Sequence, residues 1–158
     1  DAGTLFMVMG WCSLFSGLIW GMISDSIGRK RALILVYLVH AIAFAMFGLW
    51  RAPIGLILSA ILFGLAAWAI PTIMAATCGD VLGSRLAPAA LGFITMFFGL
   101  GQAIGPSVAG AMADAMKTFA PAYLLAAVVA LIGAGAAAFL KPTSVVETLH
   151  ATSLPKDE

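Results

Sequence analysis

Charge is what this sequence has least of. Only 9% of its 158 residues are Asp, Glu, Lys or Arg, and the net charge is +1; an ordinary soluble domain carries about 25% charged residues. No block of like charges exists beyond Arg29, Lys30 and Arg31, so a nucleic-acid partner is excluded. The two cysteines, Cys12 and Cys78, show neither metal-ligand nor disulfide spacing and read as small core residues. Also missing are a nucleophile and base pair, a phosphate loop and a metal cluster, because the apolar stretches lack the acids, bases and thiol groupings that such chemistry requires. The expectation is therefore no enzyme, no cofactor and no metal site. An initiating Met is absent as well: the chain opens Asp1-Ala2-Gly3 and reads as the remainder of a longer polypeptide. Its first apolar run is too long, and lacks the basic flank and cleavage site, for a signal peptide.

What is present is apolar. Hydrophobic residues make up 63% of the chain and its mean hydropathy is +1.10, more apolar surface than a soluble fold of this size could hide. Charges, prolines and glycines divide the sequence into apolar runs at about 4–23, 32–50, 54–77, 87–112 and 121–140. Each approaches the ~20 residues that cross a ~30 Å hydrocarbon core as a helix. None contains Asp, Glu, Lys or Arg, and His40 is the one readily ionisable side chain inside a run.

The fold class expected is an all-α, polytopic transmembrane bundle of five spans over 1–140, followed by a polar tail over 141–158 that is disordered beyond a short helical continuation. Short connections at 24–31, 51–53, 78–86 and 113–120 make consecutive helices antiparallel neighbours. One side then receives Arg29, Lys30, Arg31, Arg85, Lys141 and Lys156, and the other only Arg51 and Lys117. By the positive-inside rule the first side is cytoplasmic, and with it the C-terminal tail. Trp20, Trp50 and Tyr123 fall near span ends, at headgroup level. Cys78, placed in a cytoplasmic connection, is expected to react from that side more readily than Cys12 within a span.

The first cytoplasmic connection and its approach read Gly21-Met22-Ile23-Ser24-Asp25-Ser26-Ile27-Gly28-Arg29-Lys30-Arg31. Gly21 permits close helix approach, Gly28 a tight turn, Asp25 is an acceptor at a helix end, and the basic run anchors the loop. This G-x-x-x-D-x-x-G-R-K pattern resembles the signature loop of the major facilitator superfamily. The resemblance implies a secondary transporter that moves a small solute by alternating access, with Asp25 as a conformational latch, Arg29 its closest partner, and Asp80 and Arg85 at the other cytoplasmic turn in the same network. Further along, Gly101-Gln102-Ala103-Ile104-Gly105-Pro106-Ser107-Val108-Ala109-Gly110 is similar to the family's G-x-x-x-G-P-x-x-G-G element, with Ala109 in place of one glycine. There Gly101, Gly105 and Gly110 offer a packing face, and Pro106 bends the span.

Two registers fit a family of six-helix halves: helices two to six, or helices eight to twelve. The charge-free run 54–77, where the family's fourth helix carries an arginine, and the 18-residue tail favour the second. The third span is then the main cavity helix, with Gly64, Trp68, Pro71, Thr72 and Ala75 on one face. Trp68 and Thr72 are the leading candidates to contact solute. Trp11, about 10 Å along its helix, and Trp68, about 20 Å along its own, lie deeper than an interfacial belt; either could line a cavity or pack against a neighbour or lipid. On the fourth span Thr95, Gly99, Gln102 and Pro106 share a face, and the Gln102 amide needs partners, from solute or from a neighbouring helix. His40, on an outer supporting helix in this register, reads as a neutral histidine bonded to a neighbour rather than a proton carrier. The methionines are mostly core filler.

The expected partners are the lipid bilayer, a small solute with or without a coupling proton, and the missing half of the same transporter. The expected location is the cell membrane, the inner membrane if the cell is bacterial. The alternative is a non-transporting polytopic protein, a receptor-like or scaffold bundle. Charge-free spans leave the solute's identity and the direction of transport open.

Overall fold

The computed structural model describes residues 2–140, all helical or in short connections. The elements are α1 (Ala2–Ile27), α2 (Arg29–Leu49), α3 (Pro53–Ala66), α4 (Ala69–Met116) and α5 (Ala120–Ala138). The 141–158 tail, with Lys141 and Lys156 of the charge asymmetry, lies outside the described residues, as does Asp1.

Three departures from regular helix decide the shape. The first is Gly28, which alone separates α1 from α2 at φ 89°, ψ 148°, a conformation that a Cβ strongly disfavours. The second divides the run 54–77: α3 stops at Ala66 and α4 starts at Ala69. Pro71 accounts for it, having no N–H to give the Ala67 carbonyl and a ring that crowds that carbonyl. The third is Gly83, at φ 71°, ψ 172°, the one non-helical residue inside α4; the helix passes through Pro88 and Pro106 without leaving helical geometry. At the other connections Ala52 is extended before Pro53, which opens α3, and Pro121 lies in the first turn of α5.

Four helical segments among the described residues are long and apolar enough to cross a membrane: Ala2–Ile27, Arg29–Leu49, Pro53–Met116 and Ala120–Ala138. The sequence predicts five. The difference arises because the connection placed at 78–86 is helical except at Gly83, so the third and fourth apolar runs join into one stretch of 64 residues. Cys78 is accordingly buried within a helix while Cys12 is half-buried, which removes the ground for expecting Cys78 to react more readily. Trp20, expected near a span end, is 6% exposed and belongs to the main apolar cluster with Leu33, Val36 and Ile73.

Helices in lipid gain little from hydrophobic exclusion and associate through close packing of small residues. α2 and α5 make the most extensive pair, with Ala127, Ala130, Ala134 and Ala137 forming a buried stripe along α5. Where they cross, a Cβ at Gly133 would fall 2.7 Å from the Tyr37 ring, and one at Gly48 would fall 3.1 Å from Leu124. α1 and α3 meet at Gly64, where a Cβ would fall 2.7 Å from the Met9 carbonyl oxygen and 2.8 Å from Cys12. The part of α4 beyond Gly83 is mostly exposed.

Backbone cannot step aside as a side chain can, so Gly64→Ala should destabilise the protein by about 1–3 kcal/mol. Gly135→Ala, with nothing within 4 Å of the added carbon, should be neutral or slightly stabilising. Thermal unfolding in detergent checks both; equal melting of the two variants would contradict the packing at Gly64.

Candidate functional site

A helix broken in a hydrocarbon setting leaves main-chain groups that must be satisfied within the protein. At the Pro71 break two side chains of α1, one turn apart, do this. Ser16 Oγ accepts a hydrogen bond from the Trp68 main-chain N–H at 3.1 Å, and Trp20 Nε1 donates to the Leu65 carbonyl oxygen at 2.8 Å. Ala67 N–H turns to the Gly64 carbonyl at 3.2 Å, one residue short of α-helical spacing. Ser16 is fully buried.

Beside this break lies a cavity of about 490 Å³. α1 contributes Phe6, Met9, Gly10 and Ser13; α2 contributes His40 and Phe44; α3 contributes Phe63 and Gly64. Ala67, Trp68, Ile70 and Pro71 line it at the break, and Phe98 and Gln102 from the far part of α4 complete it. Aromatic rings dominate the wall: Phe44 and Phe63 are tilted at a centroid distance of 5.5 Å, and His40 meets Phe63 edge-on at 5.6 Å. Among the described residues no Asp, Glu, Lys or Arg lines it.

Of the four solute-contact candidates, Trp68 and Gln102 are brought together in this cavity and two others are not. Trp11 is 65% exposed on the outer side of α1. Thr72 turns towards α1: its Oγ1 donates to the Trp68 carbonyl at 2.8 Å, and it lies 3.1 Å from where a Cβ at Gly17 would sit and 3.8 Å from one at Gly21. His40, expected on an outer supporting helix, lines the cavity. The pairing of His40 with Phe44 at i and i+4 was the available signal. Ser13, Phe98 and the bonding roles of Ser16 and Trp20 depend on which helices become neighbours and had no sequence signature.

At the Gly28 end of the bundle charges converge. Arg29 pairs with Asp25 one turn earlier and donates to Ser24, while its Nε donates to Asp80 Oδ2 at 2.7 Å. The Arg29 side chain is only 17% exposed, against 38% for Asp80 and 65% for Asp25. One guanidinium thus ties the α1–α2 turn to α4 just before Gly83. Lys30 and Arg85 are not ion-paired among the described residues. At the opposite end Arg51 Nη2 donates to Thr118 Oγ1 at 2.8 Å, joining the α2–α3 and α4–α5 connections. Gly101, Gly105 and Gly110 have no neighbour within 4 Å of an added Cβ, and Gly101, Gly105 and Pro106 are exposed, so this glycine face is left open by the described helices although Gln102 of the same element lines the cavity.

Ser16→Ala should leave the Trp68 N–H unsatisfied and cost about 1–3 kcal/mol, read as a lowered melting temperature in detergent. An unchanged melting temperature would show that the break does not depend on the Ser16 hydroxyl.

Comparison with known proteins bears on what such a bundle is. The chain is 30% identical to monocarboxylate transporter 10 of Mus musculus over 137 residues, 82% of this chain and 26% of the relative. The counterpart from Rattus norvegicus is 32% identical over the same shares, and that from Homo sapiens 28% identical over 86% of this chain and 27% of its own. The chain therefore spans about a quarter of the length of these curated relatives. No solved structure matches it. Residues 1–156 match the Major Facilitator Superfamily, and the chain belongs to that family of membrane transporters, which are not enzymes.

Proposed function

We propose that this chain is part of a secondary transporter that moves a small solute by alternating access, with the cavity beside the Pro71 break as its contribution to the solute site. The single observation that carries this is the cavity itself: concave, aromatic and built where the membrane-spanning backbone is interrupted. The wall suits an uncharged or apolar solute, or the apolar part of a charged one. The relatives' name speaks of monocarboxylates; for such a solute this segment would hold the apolar portion, and a cation elsewhere in the transporter would pair with the carboxylate.

In this reading the stretch Pro53–Met116 makes two crossings. At 1.5 Å per residue a straight helix of that length would run about 96 Å, three times a hydrocarbon core, and Gly83 supplies the turn. Five spans result, with the end that carries Arg29, Lys30, Arg31 and Arg85 in the cytoplasm. The cell membrane is the setting. The register of helices eight to twelve rests on the uncharged run 54–77, and the open glycine face at Gly101, Gly105 and Gly110 is suited to packing by the rest of the transporter. Asp25, Gly28, Arg29 and Asp80 form the latch: the shared guanidinium holds two turns together in one state and releases them in another.

Topology is tested by single cysteines in a cysteine-free full-length protein: Ser84→Cys should react with an impermeant maleimide only from the cytoplasm, and Lys117→Cys only from outside. Reaction of both from one side would overturn the two crossings. Function is tested by uptake of radiolabelled monocarboxylates with apolar side groups into proteoliposomes. Asp25→Asn should lower uptake roughly tenfold, within the range of allosteric couplings, at equal reconstituted protein. Undiminished uptake would remove Asp25 from the latch. If the wild type shows no uptake above empty liposomes, the non-transporting bundle is the better reading.

A further inference from the structure

His40 is 8% exposed, yet it lines the cavity. Its Nδ1 lies 3.0 Å from the Val36 carbonyl oxygen. A carbonyl only accepts, so Nδ1 carries the proton, and Nε2 of the neutral ring is left as an acceptor. Nε2 has no partner among the described residues, where no fully enclosed side-chain nitrogen or oxygen lacks one. Open space must therefore touch Nε2, and His40 lines the cavity. Phe44 and Phe63, at centroid distances of 6.0 and 5.6 Å, hold the ring in place.

The other polar side chains of the wall are less committed. Ser13 Oγ already donates to the Gly10 carbonyl at 2.8 Å, and the exposed Gln102 amide can turn to donate or accept. An acceptor fixed in an aromatic wall is costly to leave unpaired once solute displaces water.

The geometry points to His40 as a specificity-determining residue: Nε2 accepts a hydrogen bond from a neutral hydroxyl or N–H on an apolar, ring-bearing solute and discriminates against the same shape without that donor. This rests on the cavity being a solute site, as proposed above.

Two probes of nearly equal shape separate the possibilities, 2-naphthol and 2-methylnaphthalene. Their binding to the full-length protein in nanodiscs is measured by equilibrium dialysis, with empty nanodiscs subtracted. The wild type should prefer 2-naphthol about three- to tenfold, the scale of one net hydrogen bond. His40→Phe should abolish the preference by weakening 2-naphthol alone, and His40→Gln, whose Oε1 reaches towards the position of Nε2, should restore much of it. Binding of both probes with equal affinity, or a preference that survives in His40→Phe, overturns the acceptor role while leaving the cavity reading intact. Binding of neither probe overturns the cavity reading and this inference with it.

Discussion

A main-chain group released inside a membrane has no water to turn to, and the rest of this structure depends on how that need is met at one break. Pro71 interrupts the third apolar run, and Ser16 and Trp20 of α1 take up the Trp68 N–H and the Leu65 carbonyl that the interruption frees. Those two bonds require α1 to lie against the break, which Gly64 permits by letting the Met9 main chain approach. Once α1 is there, Phe6, Met9, Gly10 and Ser13 form one wall of the space beside the break and Trp68 and Pro71 another. The cavity is thus a consequence of the proline, the two capping side chains and the glycine acting together.

Charge follows the complementary logic. With no acid, Lys or Arg in any apolar run, ionic contacts can form only at the ends, and they form where the chain turns. Arg29 serves two carboxylates on different helices, so moving either helix end exchanges a partly desolvated pairing for water. A tie of that kind holds one arrangement without making it permanent. Gly28 and Gly83, both in conformations closed to other residues, sit beside the two ends that the guanidinium joins.

Much of this was legible in the residues because the signals were local. Run length and the exclusion of charge mark the helices, the Asp25 to Arg31 pattern marks the turn, and i, i+4 spacing put Asp25 under Arg29. What the residues could not show was where a helix continues. Asp80 and Arg85 suggested a polar loop over 78–86, yet no residue before Gly83 forces the helix to stop, so it runs through and buries Cys78. The reverse happened at Pro71, treated as one member of a cavity face when its ring divides the run in two. The surroundings of Trp20 and His40 were hidden for a shared reason: whether a ring near the end or on the flank of a helix meets lipid, core or cavity depends on the neighbouring helix, which one sequence does not reveal. For the same reason Thr72, a leading candidate with Trp68, falls outside the cavity, as does Trp11, while Gln102 falls within it.

Alternating access requires that one cavity open to each side of the membrane in turn. Ser13 lines the cavity on α1 and takes no part in closing the helix break, so a single cysteine there, in an otherwise cysteine-free full-length protein, reports on the cavity alone. Labelled with an impermeant maleimide in right-side-out and in inside-out vesicles, Ser13→Cys should react in both, at rates that shift in opposite directions when Asp80→Asn loosens the tie to Arg29. Reaction from one side only, unaffected by Asp80→Asn, would contradict the account.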